Sequence, residues 1–211
     1  MSLTTKARYA ALRETILDVM ERQIGTSGLS GLGMRSIAKT VGCSPGMIYK
    51  IGVDQDGLIL MVNARTLDAI GARLRNAVTA ADRPQVAMRN MALAYVDYAQ
   101  EQTPRWDALF SHRMADERPV PTWYARKRDA MFQDLAAVVA RAVEDASIQQ
   151  RGEFSRMLFS AVHGVVTLGL QQKIGRVSPA KLRQQVRDLV DVMAAGLSHL
   201  SRPEATAPQS S

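Results

Sequence analysis

The chain has 211 residues, of which 46% are hydrophobic and 22% charged, a composition typical of a globular protein long enough to bury a core. A single cysteine excludes an internal disulfide framework, and the N-terminus lacks the apolar segment of a secretion signal. We therefore expect a cytoplasmic protein. The most apolar stretch, residues 161–170, is too short and too rich in glycine to span a bilayer, so no membrane partner is expected. The formal net charge of +7 favours a polyanionic partner such as nucleic acid.

The N-terminal part predicts one long helix followed by a glycine-rich connector. Residues 1–5 are expected to be loose, and a helix of about five turns then follows an apolar stripe. The stripe consists of Tyr9, Leu12, Ile16, Val19, Met20 and Ile24. Lys6 and Arg8 form either a basic arm for a DNA backbone or the solvated start of the helix. The stretch from Gly25 to Gly33 is interpreted as a flexible connector, because it lacks the Gly-Lys-Ser/Thr ending of a nucleotide-binding loop.

Residues 34–50 predict two short helices joined by a tight turn. The first helix has one apolar face, formed by Met34, Ile37, Ala38 and Val41. Gly42 is expected to end it, because glycine accepts the left-handed conformation common at helix C-termini. Ser44 is a favoured N-cap for the second helix, and Pro45 fits its first position. Such a pair forms a helix-turn-helix, whose second helix fits the DNA major groove.

This segment resembles the N-terminal signature of the tetracycline-repressor-like (TetR) regulators, in which an Ile-Ala helix precedes Gly-Val-Ser-x-Gly-x-x-Tyr. The chain supplies Ile37-Ala38, Gly42-Cys43-Ser44, Gly46 and Tyr49. It departs from the family at Met47, Ile51, Gly52 and Gln55, where the family has a threonine, an aromatic pair and a lysine. The resemblance is strong over residues 10–70, and it implies a dimeric regulator that binds double-stranded operator DNA and responds to a small ligand.

Seven residues are expected to contact DNA: Arg35, Ser44, Pro45, Gly46, Met47, Tyr49 and Lys50. The amides of Gly46 and Met47, with the Ser44 hydroxyl, can meet a phosphate because a helix N-terminus favours anions. Tyr49 and Lys50 are expected at backbone oxygens, and the Met47 side chain at an apolar group such as a thymine methyl. Charge supports this placement, because residues 1–52 carry a net +4 of the total +7.

The rest of the chain predicts helices only, and we expect an all-α protein of about nine helices. Residues 1–53 would form the DNA-binding domain, residues 54–200 a helical domain for effector binding and dimerisation, and residues 201–211 a disordered tail. Asp54 is expected to cap a long helix that runs to about Ala80. In the family that the chain resembles, this helix joins the DNA-binding head to the body.

Prolines and caps divide the remaining helices. Thr103 followed by proline predicts a cap and helix start, a helix from Thr122 is expected to reach about Ala146, and Gly152 is expected to break the pattern. Two final helices follow, over residues 154–172 and from Ser178-Pro179 to Leu200.

The segment FSAVHGVVTLGL, residues 159–170, resembles the C-terminal domain of a TetR subgroup marked by Trp-His-Gly. The His163-Gly164 pair is kept, and Ala161 or Val162 stands at the tryptophan position. Its small residues would let another helix approach closely: Ser160, Ala161, Gly164 and Gly169. The resemblance implies a homodimer through the last two helices, and the alternative is that both helices pack only within their own chain.

Seven of the eleven aromatic residues lie between positions 95 and 132. Such a cluster usually forms core, but with several adaptable methionines it can also line an apolar pocket. The expected residues for a small organic, largely apolar effector are Tyr95, Tyr98, Trp106, Phe110, Trp123, Met131 and His163. The methionines considered with them are Met88, Met91, Met114, Met131 and Met157.

No catalytic or metal-binding constellation occurs at a recognisable spacing, so neither a cofactor nor a metal is expected. His112 and Asp116 are four residues apart and could hold half a metal site, but a solvated pair is favoured. Cys43 is interpreted as a buried, inert thiol rather than a redox trigger. The favoured function is that of a ligand-responsive transcriptional regulator, and we expect it to be a repressor. The alternatives are a small helical enzyme that uses the aromatic pocket and a helical adaptor that binds protein.

Overall fold

Every regular element in the described part of the chain is helical. The computed structural model describes residues 4–51, 54–80, 82–143, 146–172 and 175–200, with side chains to residue 197. The α-helices are α1 Thr5–Ser27, α2 Met34–Val41, α3 Pro45–Lys50, α4 Gln55–Asn76, α5 Pro84–Glu101, α6 Thr103–Ser111, α7 Thr122–Ala140, α8 Ile148–Gln171 and α9 Pro179–Leu200. No strand occurs within these ranges, so the predicted all-α fold of about nine helices is confirmed. The expected tail, residues 201–211, lies outside them, as do Gly52 and residues 1–3.

Local capping signals set the boundaries of the helix-turn-helix. Gly42 ends α2 in the left-handed conformation, with φ 76° and ψ 30°, as its sequence position predicts. Ser44 caps α3, and its hydroxyl oxygen accepts the Met47 N–H at 3.2 Å. Asp54 caps α4 in the same way, since its Oδ1 accepts the Gly57 N–H at 2.8 Å.

Three predicted boundaries are wrong, each for a local reason. α1 continues through the first residues of the expected connector to Ser27, and Leu29 and Leu32 then pack against the apolar core. Gly152 lies inside α8, because Ser147 and Gln150 form a capping box that starts the helix earlier. α4 ends at Asn76 rather than near Ala80. Beyond its end the Asp82 carboxylate accepts the Thr79 N–H at 2.8 Å, which holds the chain in a turn instead of a helix.

Two smaller differences concern other helix ends. α7 ends at Ala140 instead of reaching Ala146, and the N–H groups of residues 141 and 142 bond three residues back, as in a turn. α6 begins at Thr103 with Gln102 in the capping position, so Thr103 is not the cap.

The chain divides into two compact units. The first comprises residues 1–69 and 101–128, and the second comprises residues 70–100 and 129–211. The expected boundary at residue 53 does not coincide with this division. The reason is that Leu58 and Val62 of α4 and Ala108 of α6 belong to the apolar core that α1, α2 and α3 build.

In the second unit, α8 packs closely against α9. Gly169 of α8 lies against Leu182 of α9, and a Cβ built on the glycine would be 2.6 Å from the Leu182 Cδ1. Ion pairs add to the packing of α9: Arg183 binds Asp97 at 2.9 Å, and Arg89 binds Asp191 at 2.7 Å.

Candidate DNA-binding surface and ligand cavity

The helix α3 is fixed by one buried side chain and exposes the rest of its surface. Ile48 is fully buried among α1, α2 and α4 residues of the first unit. Its neighbour Tyr49 is 51% exposed, and Lys50 is exposed as well. Ser44, Pro45 and Gly46 at the start of the helix are exposed, and Met47 is half-buried. Most of the predicted contact residues of α3 therefore lie on the exposed surface of the first unit.

One expectation for the start of α3 needs correction. The Met47 amide donates to both the side-chain and the main-chain oxygen of Ser44, at 3.2 and 2.9 Å. It is therefore already satisfied inside the cap and is not an open donor for phosphate. The Gly46 amide has no such bond to Ser44, and the Ser44 hydroxyl still has its own proton to donate.

In the described part of the chain, the cations of this surface are free of ion pairs, whereas the nearby acidic residues are paired. Within the described residues, the exposed cations Arg35, Lys39 and Lys50 form no ion pair. By contrast, the acidic residues of the first 52 positions, Glu14, Asp18 and Glu21, all bind Arg65 of α4, at 2.7–2.8 Å. Positive charge on α2 and α3 is thus left uncompensated, as a phosphate-binding surface requires.

Arg65 is held firmly in this cluster. Burial opposes its charge, but hydrogen bonds from Glu21, Asp18 and Glu14 outweigh that effect and raise the pKa of its guanidinium. Arg105 of α6 also binds Glu21, at 2.8 Å. The network joins α1, α4 and α6 within the first unit.

The second unit contains an apolar cavity of about 40 Å³. Its wall includes three methionines and three aromatic residues: Met88, Met91, Met131, Tyr95, Phe132 and Phe159. We call this space the apolar cavity. It has room for a few water molecules, whereas ligand sites for drug-sized molecules typically measure about 300–1,000 Å³.

A hydrogen-bonded chain begins at the cavity wall. The Tyr95 hydroxyl lies 2.9 Å from the His163 Nδ1, and the His163 Nε2 lies 3.3 Å from the Thr167 Oγ1. The imidazole also stacks on Phe159, with ring centroids 5.6 Å apart. Burial lowers the pKa of His163, which favours the neutral imidazole.

The structure brings together only part of the predicted effector site. Tyr95 and Met131 line the apolar cavity, and His163 bonds to Tyr95. Tyr98 is buried in the same unit but lies under Arg73, whose guanidinium carbon is 5.2 Å from the ring centroid. Trp106, Phe110 and Trp123 belong to the first unit and do not line the cavity.

Position along the chain does not show which of these aromatic residues share a cavity wall. The ring pairs Trp106–Phe110 and Trp123–Tyr124 pack locally, at 5.3 and 5.7 Å. Phe159 was missed as a wall residue, although its position one helical turn before His163 was a usable signal. Of the methionines considered, Met114 and Met157 do not line the cavity.

The expected pair of His112 and Asp116 does not form. His112 follows the last residue of α6, and Asp116 lies in a separate short turn with φ 54°. The His112 Nε2 instead lies 3.5 Å from the Asp56 Oδ1. In the part of the chain that the structure describes, no three His, Cys, Asp or Glu side chains come together as a metal site. Cys43 is half-buried and packs against the first unit's core.

Residues 88–195, just over half of the chain, match the family model described as the tetracyclin repressor-like, C-terminal domain. The HTH-type transcriptional regulator BetI of Burkholderia thailandensis is 27% identical over 142 residues, which cover 65% of this chain and 72% of that protein. No described helix is long and apolar enough to cross a bilayer.

Solved structures share the fold. A protein of unknown function from Rhodococcus sp. RHA1 has a TM-score of 0.72 at 20% identity, covering 88% of this chain and 94% of that one. A TetR regulator from Streptomyces coelicolor has a TM-score of 0.65 at 20% identity, covering 90% and 99%. The family consists of regulators, which argues against the enzyme and adaptor alternatives. The chain belongs to the TetR family of ligand-responsive, DNA-binding transcriptional regulators.

Proposed function

We propose that the protein is a repressor that binds a near-palindromic operator as a homodimer and is released by a small organic, largely apolar effector. The observation that carries this proposal is the surface of α3. Ile48 anchors the helix from below, while Tyr49 and Lys50 extend from its exposed side. A short helix held in this way can enter the major groove without rearrangement of the core behind it.

Each predicted contact residue of this surface has a role that follows from its chemistry. Lys50, Arg35 and the Tyr49 hydroxyl contact phosphate oxygens and set the position of the helix. The Ser44 hydroxyl and the Gly46 amide donate to a further phosphate, next to Pro45. The Met47 side chain contacts an apolar group of a base, such as a thymine methyl.

We assign the dimer interface to α8 and α9. On α8, Met157, Ala161, Gly164 and Leu168 follow one another at helical spacing, and both Met157 and Leu168 are about half exposed. On α9, Val192 is 72% exposed. Apolar side chains and small residues on two adjacent helices support a self-complementary interface around a two-fold axis.

This assignment has a matched control within α8. Leu168→Glu and Val192→Glu should convert the dimer to monomer in analytical ultracentrifugation. Ile148→Glu should not, although Ile148 is 88% exposed, because it lies on the opposite side of α8 from Met157. A dimer that survives both interface changes would place the interface elsewhere.

The effector site is proposed at the apolar cavity, which must expand to admit an organic molecule. Its methionines can change rotamer at low cost, because the side chain is unbranched and flexible. α4 provides a covalent route from this site to DNA. Its Leu74 lines the apolar cavity, and its Leu58 and Val62 belong to the core that holds α3. The protein acts in the cytoplasm, where its operator is accessible.

The experiment that tests the function is selection of genomic DNA fragments by the purified protein, with and without cell extract as a source of effector. We expect enrichment of a near-palindromic sequence, with half-sites related by the dimer axis, and its loss in extract. Absence of enrichment would contradict operator binding, and enriched sites without symmetry would contradict the dimer.

A further inference from the structure

A second cavity adjoins the apolar cavity and carries charged groups. It has a volume of about 210 Å³, and its wall includes Arg75 of α4, Asp134 of α7 and Arg141, which follows α7. Leu74 and Met91 belong to the walls of both cavities. We call this second space the arginine cavity. The two spaces are thus separated by apolar side chains, one of them a flexible methionine.

The arginine cavity has a net positive wall. Arg75 binds Asp134 at 2.8 Å, and no other carboxylate belongs to the described wall, so Arg141 adds an uncompensated charge there. The Arg141 guanidinium is held in place by hydrogen bonds to the main-chain oxygens of Ala80 and Asp82. Since a guanidinium has five N–H donors, this anchoring leaves donors for a ligand.

We propose that the effector is an amphipathic carboxylic acid, with its apolar body in the apolar cavity and its carboxylate between Arg75 and Arg141. An apolar space beside a cationic one, with shared walls, fits a molecule that has the same two parts. A carboxylate is the anion that a planar guanidinium binds in two-pronged geometry. A cationic head group would meet two arginines for a single carboxylate and is disfavoured.

The same placement supplies a means of regulation, which rests on the proposed repressor function. The incoming carboxylate competes with Asp134 for Arg75, so binding exchanges a contact between α4 and α7 for a contact between α4 and the ligand. Met91 and Leu74 must move to join the two cavities. The exchange of partners at Arg75 and the movement of Leu74 both affect the last turns of α4.

The test uses three probes that share one tail and differ in head charge: octanoate, octanamide and octylamine. Isothermal titration calorimetry on the full-length protein, below the concentrations at which these probes aggregate, gives the three dissociation constants. We expect octanoate to bind about fivefold more tightly than octanamide, the upper range for one exposed ion pair. Octylamine should bind most weakly. Equal affinities for octanoate and octanamide would overturn the proposal.

Variants then locate the head group. Arg75→Gln and Arg141→Gln should each reduce the preference for octanoate over octanamide, whereas Asp134→Asn should increase octanoate affinity by removing the competing carboxylate. Arg156→Gln is the matched control, because Arg156 is exposed on α8 and lines neither cavity. An undiminished preference in both Arg75→Gln and Arg141→Gln would overturn the proposal.

These measurements need no DNA, so the two proposals fail separately. Loss of operator selection with a retained octanoate preference would reject the repressor function alone. Operator binding without any octanoate preference would reject the carboxylic acid alone.

Discussion

The two compact units use buried apolar residues in different ways. The first unit's core is largely aliphatic, with Ile16, Ile37 and Ile48 fully buried. The second unit surrounds a cavity with methionine and aromatic side chains. Branched side chains have few rotamers, whereas methionine has many, so the first core holds one geometry and the second can adapt. A DNA-binding helix requires the former, and a ligand site benefits from the latter.

The largest expected effect comes from creating a cavity in the first unit's apolar core. Ile48→Ala should lower the free energy of unfolding by about 3 kcal/mol, because a fully buried side chain is removed and its neighbours relax only in part. Chemical unfolding followed by circular dichroism measures this change.

The neighbouring position on the same helix provides the control. Tyr49→Ala should change stability by only about 0.5 kcal/mol or less, because Tyr49 is exposed. Similar losses for both variants would mean that α3 is not anchored through Ile48 alone.

The next effect concerns the close contact between α8 and α9 in the second unit. Gly169→Ala should cost about 1–3 kcal/mol, because the new methyl group overlaps the buried Leu182 side chain. Gly152→Ala on the same helix should be neutral or slightly stabilising, since no atom beyond the helix's own backbone lies within 4 Å of its Cβ position and it faces away from the proposed dimer interface. Thermal unfolding of the two variants side by side distinguishes a filled contact from an open one. Equal changes in the two variants would show that the contact between Gly169 and Leu182 is looser than described.

The comparison also explains what the sequence could and could not predict. The helix-turn-helix was predictable because its signals are local: Gly42 sets one end, Ser44 the next start, and the stripe of α2 the buried face. The residues of each signal lie within one or two helical turns, so spacing alone determines their arrangement.

The wall of the apolar cavity was not predictable in this way. Its wall combines residues of α4, α5, α7 and α8, which are distant in sequence, and composition cannot say which face of each helix turns inward. Tyr95 and Met131, two of the residues expected at an effector site, line this cavity, whereas Trp106, Phe110 and Trp123 belong to the other compact unit. The Met47 amide was also misjudged, because the Ser44 cap that was correctly predicted also uses that donor.

A smaller effect tests whether DNA binding depends on charge in the first unit alone. Lys50→Ala should weaken binding to all DNA sequences alike and lower the slope of log affinity against log salt by about 1, because one phosphate contact is lost. Lys181→Ala in the second unit removes an equal charge from an exposed position of α9 and should leave the slope unchanged. Fluorescence anisotropy over a series of salt concentrations gives both slopes. An unchanged slope in Lys50→Ala would show that this contact is absent.

The smallest expected effect concerns protonation of the half-buried imidazoles of the two units. Burial lowers the pKa of His163 below its ordinary value of 6.5, and it also lowers the pKa of His112, where Asp56 partly opposes the change. The unfolded chain therefore binds these protons more readily than the folded chain. Stability from this source is present above about pH 6.5 and decreases as the pH falls through 6.5 towards the lower folded pKa values.

Replacing each imidazole separately shows which unit contributes more to this pH dependence. His163→Gln should reduce the loss of unfolding free energy between pH 7 and pH 5, because the titrating group is removed while an amide remains near Tyr95. His112→Gln should reduce that loss less, because Asp56, 3.5 Å from the imidazole, favours its protonated form and opposes the effect of burial. Urea unfolding at several pH values measures both. If His163→Gln kept the full dependence of the parent protein, the imidazole beside the cavity would be as easily protonated when folded as when unfolded, and the apolar surroundings described for it would be wrong.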